Sequence, residues 1–177
     1  QDEIDFIVKH KKRNNIVTQL ALHCKGVTLV LFQFVEKHGK VLYEKIKAKA
    51  GDRAVYFIHG EIDAKIREEI RQIVLKSPDA IIVASVGTFS TGINIPNLEY
   101  LIFAHPSKSK TRNLQSIGRI LRRAGGKIKC YLYDIADDFT WKSKINITMT
   151  HATERLKIYS REEFEYKIMK VDITSQH

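Results

Sequence analysis

The chain is expected to fold as an α/β layer: a doubly wound, mostly parallel sheet covered by helices, followed by a helical and strand appendage. From Val27 onward, short β-branched apolar runs alternate with longer amphipathic ones, the rhythm of parallel strands joined by crossover helices. Most of the short runs are apolar throughout rather than alternating, so they read as strands buried on both faces. A length of 177 residues, 44% hydrophobic and 28% charged, supplies one core and leaves no room for two full domains.

Taken in order, residues 2–24 predict one or two helices, with Ile4, Ile7, Val8, Ile16, Leu20 and Leu22 as packing positions, covering a sheet edge. Residues 27–32, following Gly26, are the first strand. Residues 35–49 then place Val35, Val41, Leu42 and Ile46 on one side of a surface helix that closes near Gly51. After a second strand over 54–58, Asp63 caps a helix through Leu75, in which Ile66, Ile70, Ile73 and Val74 recur at helical spacing. The Ser77-Pro78 step ends it. Strands over 80–84, 100–104 and 128–133 complete a set of five, with 111–123 helical between the last two. Residues 1–138 make up the layer and 139–177 the appendage, in which 141–159 is expected to be helical despite the β-branched run at 145–148, and 164–173 alternates like an edge strand.

Thirty Lys and Arg against twenty Asp and Glu give a formal charge of +10. Such an excess draws polyanions over long range and makes nucleic acid the first partner to consider; spread evenly, it is only a solubility device, so placement decides. No run of about 18 uncharged apolar residues exists, so no transmembrane helix and no membrane partner are expected. Gln1 opens a charged segment rather than a signal peptide, and an intracellular chain is expected. Cys24 and Cys130 are too few for a disulfide framework and lack the C-x-x-C spacing of a metal site, which leaves reduced core thiols. His10, His23, His38, His59, His105, His151 and His177 show neither H-x-x-x-H nor H-E-x-x-H spacing, so no zinc site is expected. Asn146-Ile147-Thr148 fits a glycosylation acceptor, yet nothing points to secretion. The chain opens without Met and in mid-pattern, so a piece of a longer protein is expected.

Ligands of open α/β sheets sit outside the carboxyl ends of the strands, and three segments there are unusual. Residues 85–96, Ser-Val-Gly-Thr-Phe-Ser-Thr-Gly-Ile-Asn-Ile-Pro, offer the hydroxyls of Ser85, Thr88, Ser90 and Thr91 with Gly87 and Gly92, either as a phosphate-binding concavity or as a capped turn. Residues 115–122 read Gln-x-x-Gly-Arg-x-x-Arg. Arg119 and Arg122, three apart, share a helix face where two guanidinium forks can converge on one phosphate, or they are a solvated charge run. Phe32-Gln33-Phe34 and His59-Gly60 end the first two strands. Trp141, Tyr159 and Tyr166 either stack on bases or pack against the sheet.

In that order these motifs resemble the second RecA-like domain of superfamily 2 helicases, over residues 15–135, and most resemble its phage UvsW type, which acts on branched DNA and RNA/DNA hybrids. The resemblance implies a RecA-like fold and an ATP-dependent motor. Gln115, Arg119 and Arg122 match motif VI, whose arginines reach the γ-phosphate of ATP across a cleft. Gly92 and Asn94 match motif V near the nucleotide, where many relatives carry Asp in place of Asn94. One of Ser85, Thr88, Ser90 and Thr91 would touch the nucleic-acid backbone, and Phe32, Gln33, His59 and Gly60 would line its track. A phage-encoded chain would act in the host cytoplasm.

No P-loop, G-x-x-x-x-G-K-[ST], is present: neither Gly39-Lys40-Val41 nor Gly126-Lys127-Ile128 has the partner glycine or the following hydroxyl. Asp2-Glu3-Ile4-Asp5 spells D-E-x-D but lacks a preceding apolar strand and reads as the acids of a helix N-terminus. The implied ATP and Mg²⁺ would therefore be held mainly by an N-terminal RecA-like domain of the same polypeptide, and this chain alone would not hydrolyse ATP. The rival expectation is a non-enzymatic nucleic-acid binding or annealing module of the same fold. A dinucleotide enzyme would need G-x-G-x-x-G after the first strand, where Phe32-Gln33-Phe34 stands instead.

Overall fold

The computed structural model describes residues 2–90, 94–105, 130–140 and 142–173. Its elements are α1 (Asp2–Lys9), α2 (Lys11–His23), β1 (Thr28–Phe32), a π-helical turn (Val35–Gly39), α3 (Lys40–Lys49), β2 (Val55–Ile58), α4 (Ala64–Leu75), β3 (Ile81–Ser85), α5 (Val86–Ser90), β4 (Tyr100–Phe103), β5 (Tyr131–Asp134) and α6 (Ile147–Arg161). The strands form one sheet, ordered β2-β3-β1-β4-β5, with every pair parallel. This is the RecA-like doubly wound layer.

Successive residues of a strand point to opposite faces, so strands that are apolar throughout build two cores. On one face Leu29, Leu31, Ile82 and Leu101 meet Val74 of α4, Phe89 of α5 and Tyr159 of α6. On the other, Val30, Phe32, Val83 and Ile102 meet Val17 and Ala21 of α2 and Leu42 and Ile46 of α3. Burying each large aliphatic side chain contributes about 1.5–3 kcal/mol of transfer free energy.

The Asp63 cap forms as expected, its Oδ1 accepting from the Lys65 amide at 2.7 Å. Three expectations are corrected. α2 covers a sheet face rather than an edge, because Val17 and Ala21 lie against the central strands. The 35–49 helix begins with a π turn, in which the Gly39 amide donates to Phe34 O at 2.8 Å. A Cβ on Gly39 would stand 2.5 Å from the Phe32 ring, so glycine lets this turn close on β1. Residues 164–173 form no strand: Ile168, Met169 and Val171 are all exposed, and the described strands pair only with one another. Without a partner edge or a buried face, alternation alone does not make a strand. The 111–123 helix lies outside the described residues, and α6 starts at Ile147, later than the 141 expected.

Candidate functional site

A parallel sheet collects its carboxyl ends on one rim, and register sets their order. Phe32 is level with Ser85, Ile58 with Ala84, and Phe103 with both Leu31 and Asp134. The chain leaves β1 toward β2 on one side and β4 toward β5 on the other, so the topological switch is the crevice between β1 and β4. His105 sits there, fully buried, with Nδ1 3.4 Å from Leu31 O and its ring edge-on to Phe103 at 5.7 Å. Metal-ligand spacing does not single out His105; its place directly after the apolar run 100–104 is the signal the sequence carries.

At β3 the rim is built by hydroxyls. Ser85 Oγ and Thr88 Oγ1 are 2.6 Å apart, both residues are buried, and the Thr88 amide donates to Ser85 Oγ at 3.3 Å. That pair turns the chain directly from β3 into α5 and so fixes where the exposed Gly87 and Ser90 stand. Ser90 Oγ donates back to Val86 O at 2.8 Å. Asn94 is exposed, held by the buried Ile95 and Leu98 beside it, while Asn97 Nδ2 donates to Val74 O at 2.8 Å and ties this segment to the end of α4.

The β1 and β2 ends form an aromatic ladder. Tyr43 stacks on Phe57 at 5.1 Å, Phe57 lies 5.5 Å from Phe32, and His59 lies 5.0 Å from Phe57. Phe32 is interior and supports this ladder, whereas Gln33 and Gly60 are exposed. His59 Nδ1 is buried and has no hydrogen-bond partner among the described residues. The structure thus brings Gln33, His59, Gly60, Ser85, Thr88 and Ser90 to one rim. Thr91, Gly92, Gln115, Arg119 and Arg122 lie outside the described residues, as does Trp141.

Asp134, which ends β5, and Asp137 just past it are taken by internal pairs. Asp137 receives a buried two-bond fork from Arg13, at 2.5 and 2.9 Å, and Asp134 receives one from Arg155, at 2.5 and 3.0 Å, plus the Tyr159 hydroxyl at 2.6 Å. Burial, and then the neighbouring Asp134 charge, push the Tyr159 hydroxyl far above its ordinary range, which keeps it a donor. Tyr159 therefore packs on the sheet; Tyr166 lies beside it at 6.1 Å, half-exposed. Glu3, from the D-E-x-D tetrad, caps α6, accepting from the Thr148 amide at 3.0 Å, Thr148 Oγ1 at 2.8 Å and Asn146 Nδ2 at 3.0 Å. Burial raises its pKa, but these bonds outweigh that and hold the carboxyl below its ordinary value. The same Asn146 amide also donates to Asp137 O at 2.9 Å, so it is engaged inside the fold rather than presented as a glycan acceptor. Cys24 and Cys130 are free thiols, both pushed up by burial. Among the described residues no group of three or more His, Cys, Asp or Glu could hold a metal, and no helix is long and apolar enough to cross a membrane.

Residues 11–124 match the family model described as "Helicase conserved C-terminal domain". The ATP-dependent DNA helicase uvsW of Enterobacteria phage T4 is 33% identical over 186 residues, covering 98% of this chain and 36% of that protein. The crystal structure of T4 UvsW superposes with a TM-score of 0.78 at 34% identity, over 93% of this chain and 35% of that one. The C-terminal domain of the DEAD-box protein Dbp5 superposes with a TM-score of 0.63 at 14% identity, over 87% of this chain and 82% of that one, a likeness of fold alone. The chain spans about a third of the length of the T4 relative.

Proposed function

The chain belongs to the helicase conserved C-terminal domain family, and from that premise we propose that it is the second motor half of an ATP-dependent nucleic-acid helicase or translocase. The observation that carries this reading is the rim itself: in a chain of this family, the exposed Gln33, Gly60 and Ser90 stand on one edge of a parallel sheet with Asn94 close in sequence. Polar side chains and backbone amides held on rigid strand ends can position a phosphate backbone.

ATP would lie between this rim and a P-loop domain of the same polypeptide, which would also hold most of the Mg²⁺ contacts. Bound there, ATP supplies the phosphoryl group whose transfer drives the cycle. Arg119 and Arg122 would approach the γ-phosphate, with Gln115 on the same motif positioning them, and Gly92 and Asn94 would line the nucleotide. Two arginines three residues apart in sequence would offer charge where the transition state develops it, worth roughly 10³ to 10⁵ in rate. The Ser85–Thr88 pair holds the start of α5 in place, so that opening and closing of the cleft would move Ser90 against the backbone phosphates, with Thr91 the neighbouring candidate contact. Contacts of this kind are indifferent to base sequence and weaken with salt. Branched DNA or RNA/DNA hybrids are the substrate class that the UvsW resemblance suggests.

The test is ATP hydrolysis by the complete gene product with and without nucleic acid, with this chain alone as control. Stimulated turnover by the whole and none by the chain supports the reading. Nucleic-acid binding without any ATP hydrolysis by the whole would favour a binding module of the same fold.

A further inference from the structure

We propose that the α2–α3 face of the sheet is a second nucleic-acid surface, a phosphate track running from the carboxyl rim down the outside of the domain. It rests on the nucleic-acid reading above but uses none of the motif residues. The +10 charge is not spread evenly. Residues 9–53 hold eleven Lys and Arg against three Asp and Glu, whereas residues 54–105, which supply α4 and α5 on the opposite face, hold four against six. With α6 included, which adds Arg155, Lys157 and Arg161 against Glu154, the opposite face is near balance, whereas the α2–α3 side keeps a basic excess even with Asp2, Glu3 and Asp5 of α1 counted.

Two of the eleven cations are structural: Arg13 is buried against Asp137 and Arg53 lies 2.6 Å from Asp79. Lys37 pairs with Asp5 at 2.5 Å. Lys11, Lys40, Lys47 and Lys49 are exposed, and Lys40 makes a 3.6 Å surface contact with Glu36. The seam between the helices is closed by Lys45 Nζ donating to Asn15 Oδ1 at 3.0 Å, so both exposed stripes belong to one surface.

Helix stability accounts for Lys47 and Lys49, in the last turn of α3 where the dipole favours cations, but not for the placement on α2. Lys11 and Lys12 occupy the first turn of α2, where no acid stands and where a cation opposes the helix dipole at a cost of about 0.3–1 kcal/mol. α2 contains no Asp or Glu at all. An anion outside that turn reverses the sign of the effect. The first turns of α2 and α3 both lie at the rim: α2 leads into β1 through a short turn and packs back along it, and α3 leaves from the far end of β1. The track therefore begins beside Gln33. The thirteen residues of α2 extend about 20 Å, a length over which duplex DNA carries about a dozen charges.

The test is binding of a duplex of about 30 base pairs to the chain, by fluorescence anisotropy between about 50 and 200 mM salt. The variant carries Lys11→Ala, Lys40→Ala, Lys47→Ala and Lys49→Ala; the control carries Lys65→Ala and Lys76→Ala on the α4 side. Each lysine lost from a phosphate lowers the slope of log K against log salt by about 0.9, so the slope should fall by about three to four and low-salt affinity by more than tenfold, with the control unchanged. Circular dichroism melts confirm that each variant is folded. A slope change below about one, or an equal loss in the control, overturns the inference. So does a chain that binds no duplex. If Arg119→Ala and Arg122→Ala leave the complete product's ATPase intact while the lysine variant loses its slope, the motor reading falls and this surface stands; the opposite pattern removes the surface alone.

Discussion

Arg155→Ala should detach α6 from the sheet more effectively than any exposed substitution. The guanidinium is almost wholly buried, with Nε 2.5 Å and Nη2 3.0 Å from the two oxygens of Asp134, whose side chain is 14% exposed. Deleting the cation leaves the carboxylate its desolvation penalty without the opposing charge, and breaking a buried pair in this way costs about 3–5 kcal/mol. Tyr159→Phe is the graded comparison, since it removes one hydrogen bond to a charged acceptor and keeps the ion pair, a loss of about 1.5–3 kcal/mol. Urea unfolding followed by circular dichroism reads both. With a slope of about 2 kcal/mol/M, the Arg155→Ala midpoint should fall by about 1.5–2.5 M, with Tyr159→Phe between it and the parent chain. A shift below about 0.5 M for Arg155→Ala would refute the reasoning, because it would mean that water replaces the guanidinium freely and α6 is no part of the cooperative core.

Gly39→Ala places a methyl 2.5 Å from the Phe32 ring and should lower stability by about 1–3 kcal/mol, read by the same urea titration. Glu3→Gln should lower stability at neutral pH by about 1 kcal/mol, the worth of a helix cap. Glu3 has a folded pKa below its unfolded value, so its contribution is complete above the unfolded value and is lost as pH falls through the folded one. The difference between parent and Glu3→Gln in acid titrations should accordingly close below about pH 4. The Cys130 thiol, pushed up to about 12 by burial and by Glu99, should react with iodoacetamide at pH 8 at least about tenfold more slowly than an ordinary cysteine, and at the ordinary rate in urea.

The sheet was legible because its signal is a run of residue types: 80–84 and 100–104 are apolar without interruption and 27–32 is broken only by Thr28, as suits strands covered on both faces. Side-chain pairs that close over a hundred residues were not. Arg13 sits on the stripe Arg13-Val17-Ala21 that faces the core, which hints at burial, but nothing local names Asp137 as its partner. α6 misleads further. Its buried stripe is Thr148, Ala152, Arg155 and Tyr159, while the β-branched Ile145 and Ile147 are exposed, so apolar periodicity points to the wrong side. In 164–173 the alternation is present, but strand formation needs a neighbour that local pattern cannot supply. At the rim, the motif spacing located Ser85 and Thr88; that their hydroxyls would meet each other in the interior depends on the immediate start of α5.

The central claim, that this chain lends arginines to a triphosphate held elsewhere in the polypeptide, is tested most directly by nucleic-acid-stimulated ATPase of the complete gene product carrying Arg119→Ala or Arg122→Ala. The account predicts a loss of turnover of roughly 10³-fold or more with nucleotide binding retained. Turnover close to that of the parent for both substitutions would contradict it.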